Sequence, residues 1–379
     1  MLRPRLPAAV SLAVVASLAL SVSARADVKV TDVGAWRDQQ RVAKAEKQEK
    51  RARAAARSAA GSVSALGTGA QRLVDQSGLE YFINTDITFS TTSSASGAAS
   101  EASFTGPVQA TTLNGGFVSA TLNDAFDGYN SICLSASATG PCETGNAAYV
   151  IFNRNGAASL DGSCGGRQVL FGTQPMLGLQ VTRKAFVPSN DSFARWQTVL
   201  TNPTAAPITV NVISANNLGS DSNTVIDSSS SGDASASTAD YWVSTFQNYS
   251  GTTSSDPRLA HVIWGPGGSG PSGMTFVNGD DNPYWTFRVT VPAGATRILL
   301  HFVTGQPTRA AARAKAAQIA TNPLSATAAA CMTEQERNEI VNFGVAVAEK
   351  AVPALGGRGL LALVAAIAAA GGAAQRRLA

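Results

Sequence analysis

The chain has 379 residues, enough for one large domain or two, with 44% hydrophobic but only 14% charged residues. Low charge with abundant Gly, Ser, Thr and Ala fits a secreted β-rich protein better than a cytosolic enzyme. The net charge of +4 sits in the appendages: residues 37–57 hold eight basic and three acidic side chains, whereas residues 58–357 sum to −6. A mildly acidic body argues against a nucleic-acid partner, because phosphate contacts need clustered Lys and Arg.

Residues 1–26 read as a secretory signal. Arg3 and Arg5 form a charged start, residues 8–20 an apolar stretch, and Ala24 and Ala26 the small residues of a cleavage site that would leave Asp27 first. The apolar run is shorter than the roughly 20 residues of a membrane span. Residues 27–70 then predict a basic helix and a linker. Residues 36–58 lack Gly and Pro, and Glu46–Lys50 and Glu49–Arg53 are favourable pairs one turn apart. With no apolar stripe to bury, this helix reads as a solvated spacer or as a basic arm for anionic lipid or polysaccharide. Residues 58–69, small and Gly-rich, read as the linker.

Residues 71–306 predict a large antiparallel β-sandwich, from some ten short runs with turn residues between them. The clearest is 284–291, where Trp285, Phe287, Val289 and Val291 alternate with Thr286, Arg288 and Thr290. Pro292, Ala293 and Gly294 end it, and the apolar run 297–303 is expected to return beside it as a hairpin. Upstream strands are expected over 80–89, 117–122, 147–152, 168–171, 177–187, 193–201, 208–214 and 259–264. Turns such as 188–191 and 202–207 separate them. Residues 307–351 predict a C-terminal helical segment. An Ala- and Arg-rich helix over 307–321 ends at Asn322-Pro323, and a capping box at Thr333–Glu336 opens a helix through Ile340 and Phe343 toward Lys350.

Residues 352–379 carry Val352, Pro353, Leu355, Gly359 and Leu360, then an apolar run, then Arg376 and Arg377. The run suits a short membrane helix with its basic end on the cytoplasmic side. This order resembles the sorting tails of the IPTL-CTERM type, with Ala354 and Arg358 standing where that family usually has Thr and Trp. The resemblance implies an envelope sorting protease of the exosortase kind and the membrane as partners, in a Gram-negative bacterium. The strand-and-turn style of the middle resembles large, uncharacterised sandwich domains and those attached to carbohydrate-active enzymes; fold alone does not assign a function.

Four groups of residues bear on chemistry. Cys133, Cys142, Cys164 and Cys331 form an even set, expected as two disulfides after export. Cys133 and Cys142 flank an Ala-Thr-Gly-Pro turn, which favours pairing them and leaves Cys164 for Cys331. Oxygen-rich loops hold Asp221, Asp227, Asp233, Asp240, Asp280 and Asp281. Asp221, Asp280 and Asp281 are candidate ligands for calcium, though Asp is also an ordinary turn residue. His261 and His301, the only histidines, fall inside apolar runs and read as core residues rather than general bases. No nucleophile-elbow, zinc-protease, P-loop or dinucleotide motif is present. The leading reading is a non-enzymatic surface protein that displays a sandwich for adhesion, matrix or ligand contact, with polysaccharide or another surface protein as partner. The alternative is a carbohydrate-active enzyme using a carboxylate pair among Asp221, Asp240, Asp280 and Asp281, with Tyr241, Trp242, Tyr284 and Trp285 as sugar platforms.

Overall fold

In the computed structural model, residues 69–85, 95–112, 114–142, 145–153, 158–220, 223–247 and 255–344 are described. The expected signal, basic helix and sorting tail lie outside these residues, as does Asp221. Among the described residues no helix is long and apolar enough to cross a membrane.

Two large antiparallel sheets pack face to face. The first runs in the order β1 (Ala70–Val74), β2 (Leu79–Asn84), β3 (Ala99–Phe104), β6 (Gly128–Ser135), β12 (Ile208–Asn217), β17 (Tyr284–Val291) and β16 (Gly273–Thr275), with β7 (Val150–Ile151) also on β6. The second runs β13 (Thr224–Ser229), β14 (Trp242–Gln247), β15 (Arg258–Val262), β18 (Thr296–Gln306), β11 (Ala194–Thr201), β10 (Leu179–Phe186), β9 (Gln168–Met176) and β8 (Ser159–Leu160). A separate hairpin joins β4 (Pro107–Thr111) to β5 (Phe117–Thr121), with Phe117 at its start largely exposed. The sandwich expected from the alternating pattern is the observed fold.

Alternation explains the core. Trp285, Phe287, Val289 and Val291 of β17 enter one cluster with Tyr81, Ile132 and Leu134 of the same sheet and Val181, Trp196, Leu299 and Val303 of the other. The expected hairpin between β17 and β18 does not form. β17 pairs with β12 and β16, whereas β18 pairs with β11 and β15. The turn at Pro292–Gly294 carries the chain from one sheet to the other. The two strands therefore meet face on, with His301 of β18 set 5.8 Å from Trp285 and 5.6 Å from Phe287, ring to ring.

The uniformly apolar sequence of β18 has its cause in a third layer. Ile298, Leu300 and Phe302 point away from the sandwich, into a second cluster with Phe186, Phe193, Val262, Ala312, Ala316, Ile319 and Phe343. A strand covered on both faces loses its alternation. The cover is helix α1 (Arg309–Thr321), whose Ala312, Ala316, Ile319 and Ala320 form the buried stripe. Thr308 caps it by accepting from the Ala311 N–H at 3.2 Å. Arg309 and Arg313 both reach the Asp227 carboxylate, at 3.4 and 3.0 Å, and so pin the first turns of α1 to β13.

The second C-terminal helix is shorter than its sequence suggests. The capping box at Thr333 and Glu336 is present, yet α2 spans only Glu334–Asn338. Beyond it the chain extends and docks on the part of β18 that β15 leaves uncovered. The Ile298 N–H donates to Glu339 O, and the Val341 N–H donates to Ile298 O, both at 2.9 Å. Asn342, fully buried, then stands in for a missing peptide: its Oδ1 accepts from the Leu300 N–H, and its Nδ2 donates to Ile263 O and Leu300 O. The opposing loop is backbone only, since a Cβ at Gly268 would lie 2.2 Å from the Asn342 carbonyl carbon. These tertiary bonds outweigh the helical propensity of residues 339–344. Asn342→Ala would strand three buried backbone groups and is expected to cost roughly 2–4 kcal/mol, read as a lower urea midpoint with an unchanged m-value.

Candidate functional site

The described structure places the chemically able residues in three settings: an acidic loop system, two disulfides, and a polar layer inside the sandwich. In the loop after β13, Asp240 accepts from Ser230 Oγ, the Ser231 N–H, the Ser237 N–H and Ser237 Oγ at 2.8–3.2 Å. Although burial opposes ionisation, these donors hold its carboxyl below the ordinary range. Asp233 accepts in the same way from the Ser235 N–H and Ser229 Oγ. Asp280 accepts from the Asn282 N–H at 2.8 Å, an Asx turn, and the Asp281 backbone carbonyl accepts from Leu218 at 2.7 Å. Turn-building is what these carboxylates do. Among the described residues no three His, Cys, Asp or Glu side chains gather as metal ligands.

The aromatic candidates divide between core and half-buried positions. Trp285 is wholly buried, and Tyr284 packs on the first disulfide cluster. Tyr241 sits edge-on to Trp264 at 4.6 Å, and the Trp264 Nε1–H donates to Asp240 O at 2.8 Å. Tyr241 and Trp242 lean on the cluster beneath α1. The structure thus gives Trp285 a packing role and leaves Tyr241, Trp242 and Trp264 half-exposed beside the serine-rich loop.

Both disulfides are formed, Cys133 with Cys142 and Cys164 with Cys331. Cys133 and Cys142 are buried with Ile213 and Ala215 on the outer face of the first sheet. The second bridge, 167 residues apart in sequence, ties the end of a short 3-10 turn at Gly162–Cys164 to the segment between α1 and α2. Sequence reasoning missed its companion, Arg195. That guanidinium is fully buried, stacks on Phe186 at 4.6 Å, and donates to Ala328 O, Ala330 O and Gln168 Oε1. Burial draws its pKa down to about 9, partly countered by Glu336.

The third setting lies between the sheets, where both histidines are core residues as the apolar runs around them implied. His261 and His301 point into the sandwich and are sealed from solvent. His261 shares hydrogen bonds with Tyr129 Oη at 3.0 Å and Thr245 Oγ1 at 3.2 Å. His301 has no partner on either ring nitrogen. Beside it lies Arg183, also sealed, donating to Asn130 Oδ1 and lying over the Phe152 ring at 5.9 Å. Burial pulls both histidines down to about 3, His301 further opposed by Arg183, and pulls Arg183 down to about 9. Sealed between the sheets, neither ring is open to a substrate from solvent. A small cavity near Leu218, Thr245, Phe246 and Leu259 has about 10 Å³, room for one water.

No family model matches the chain, and no curated protein matches it. Among solved structures, a polysaccharide lyase is similar at 11% identity and a TM-score of 0.37, over 68% of this chain and 35% of its own. A kojibiose phosphorylase-like protein from the human microbiome is similar at 10% identity and a TM-score of 0.38, over 68% of this chain and 33% of its own. This chain thus spans about a third of either protein. A galactose mutarotase-like protein from Lactobacillus casei is similar at 10% identity and a TM-score of 0.37, over 62% of this chain and 99% of its own.

Proposed function

We propose that the chain is an exported envelope protein whose disulfide-stapled sandwich is displayed for contact with polysaccharide or another surface protein, not for catalysis. The carrying observation is the pair of closed disulfides, both set into apolar clusters. Such bridges persist where thiols oxidise and are rare in a reducing cytosol. Residues 1–26 supply the export signal in this reading, and residues 352–379 the sorting tail that engages the membrane and its protease. The positions of the polar residues support display: the histidines lie in the core, while Asp227, Asp233, Asp240 and Asp280 are engaged in pinning α1 and building turns.

Mass spectrometry of the protein recovered from its native cell envelope tests this. The expected mature chain begins at Asp27 and is four hydrogens lighter than the reduced form. A chain recovered from the cytosol with residues 1–26 attached and four free thiols would overturn the proposal.

A further inference from the structure

The sandwich interior holds a positive charge that nothing described balances. Arg183 of β10 is 1% exposed, and no described carboxylate pairs with it. Its Nη2 donates to Asn130, but Nε and Nη1 donate to nothing. Around it the same deficit recurs. Thr198 Oγ1, Trp285 Nε1 and both His301 nitrogens are buried without partners.

These orphans belong to one ring of contacts that crosses both sheets. Arg183 faces Thr198 across β10 and β11, and Trp196, two residues earlier on the same face, faces His301 across β11 and β18. His301 touches Trp285 of the other sheet at 5.8 Å. Trp285 is the cross-strand neighbour of Ser214, whose Oγ accepts from Asn130 Nδ2 at 3.1 Å, and Asn130 returns to Arg183. Gly97 closes the remaining side: a Cβ there would lie 3.1 Å from Arg183 Nη1, while its carbonyl is already taken by Trp196 Nε1 at 2.7 Å.

Buried polar groups in native proteins are almost always satisfied, and an unpaired buried charge costs several kcal/mol. Most of the free atoms here are donors. Guanidinium and indole nitrogens cannot accept, and a neutral imidazole adds one further N–H. Water would accept these bonds without offsetting the charge, whereas an anion does both. A divalent oxyanion would leave a net negative charge in place of the positive one. We propose that the inter-sheet ring of Arg183, Thr198, His301 and Trp285 is an internal site for a small monovalent anion of halide size.

The probes are sodium chloride and sodium bromide, titrated into the full chain against sodium gluconate at fixed ionic strength and pH 7. The melting temperature is expected to rise saturably by several degrees for chloride and bromide. Arg183→Met should abolish the rise, while Arg297→Met, at the edge of β18, should keep it. Crystals soaked in bromide should show an anomalous peak within hydrogen-bond reach of Arg183 Nε and Trp285 Nε1. An identical, unsaturating salt response in the wild type and Arg183→Met would overturn the site. So would a bromide-soaked crystal with only water, or nothing, at that position, a result that holds even if Arg183→Met does not fold.

Discussion

Lowering the pH from 7 to 5 is expected to remove roughly 2–3 kcal/mol of folding stability, with two histidines as the cause. His261 and His301 are held neutral by burial, with folded pKa values pulled down to about 3. Unfolded, both titrate near the ordinary histidine value of about 6.5. A depressed folded pKa means that the unfolded chain takes up protons the folded chain refuses. Stability is therefore full above pH 6.5 and falls as pH drops toward 3. Two such groups account for about 4 kcal/mol between pH 7 and 5, at about 1.4 kcal/mol per unit shift. Asp75 works the other way. Burial, countered by hydrogen bonds from Ser77 and Leu79, raises its pKa to about 6, so protonation below pH 6 favours the folded form and offsets about 1 kcal/mol. Urea titrations at several pH values measure the slope directly. His301→Phe tests its origin, because a phenyl ring keeps the packing against Trp285 and Phe287 and cannot take up a proton. The variant should lose about two thirds of the net acid sensitivity, since one histidine accounts for about 2 of the roughly 3 kcal/mol. A variant with an unchanged pH slope would assign the effect elsewhere.

Removing the Cys164–Cys331 bridge is expected to cost about 5 kcal/mol in the chain-entropy account, since it closes a loop of 167 residues. The Cys133–Cys142 bridge spans 9 residues and should cost about half as much, roughly 2.5–3 kcal/mol. A domain's whole stability is commonly about 5–15 kcal/mol, so the long-range bridge decides whether the chain folds at 37 °C. Its ends explain why native contacts would not make up the loss. Cys331 has φ of 64°, a left-handed conformation that a non-glycine residue keeps only when its surroundings impose it. Comparing urea midpoints of Cys164→Ala/Cys331→Ala and Cys133→Ala/Cys142→Ala at 15 °C settles the ranking. Equal losses, or a loss under about 1 kcal/mol for the long-range pair, would show that loop closure is not what that bridge contributes.

The sequence revealed strands best where one face met solvent and the other met the core. β17 was legible to the residue because Arg288 and Thr290 stay exposed while their neighbours are buried. β6 was missed. Every one of its residues is buried, yet it reads Gly-Tyr-Asn-Ser-Ile-Cys-Leu-Ser, because Asn130 bonds across to Asn216 and Ser214 of β12 and Ser135 to the 137–138 turn. A buried strand rich in polar residues carries no hydrophobic period for a reader to find. The β17–β18 junction failed for a different reason: a proline–glycine turn states that the chain reverses, but not whether it returns in the same sheet. The internal polar ring had one visible sign, histidines set in apolar runs. Arg183 gave none, since an arginine in an alternating strand looks solvent-facing.

The way the chain leaves the body has a mechanical meaning. Tension applied beyond Gly344 first meets the bond from the Gly344 N–H to Pro266 O, then those joining Asn342, Val341 and Glu339 to Leu300, Ile263 and Ile298, which run across a strand at the centre of a sheet and shear together. Should they yield, only the 13 residues between Cys331 and Gly344 can pay out, about 45 Å at full extension. The covalent sulfur bridge then arrests the travel before α1 or the sandwich is disturbed.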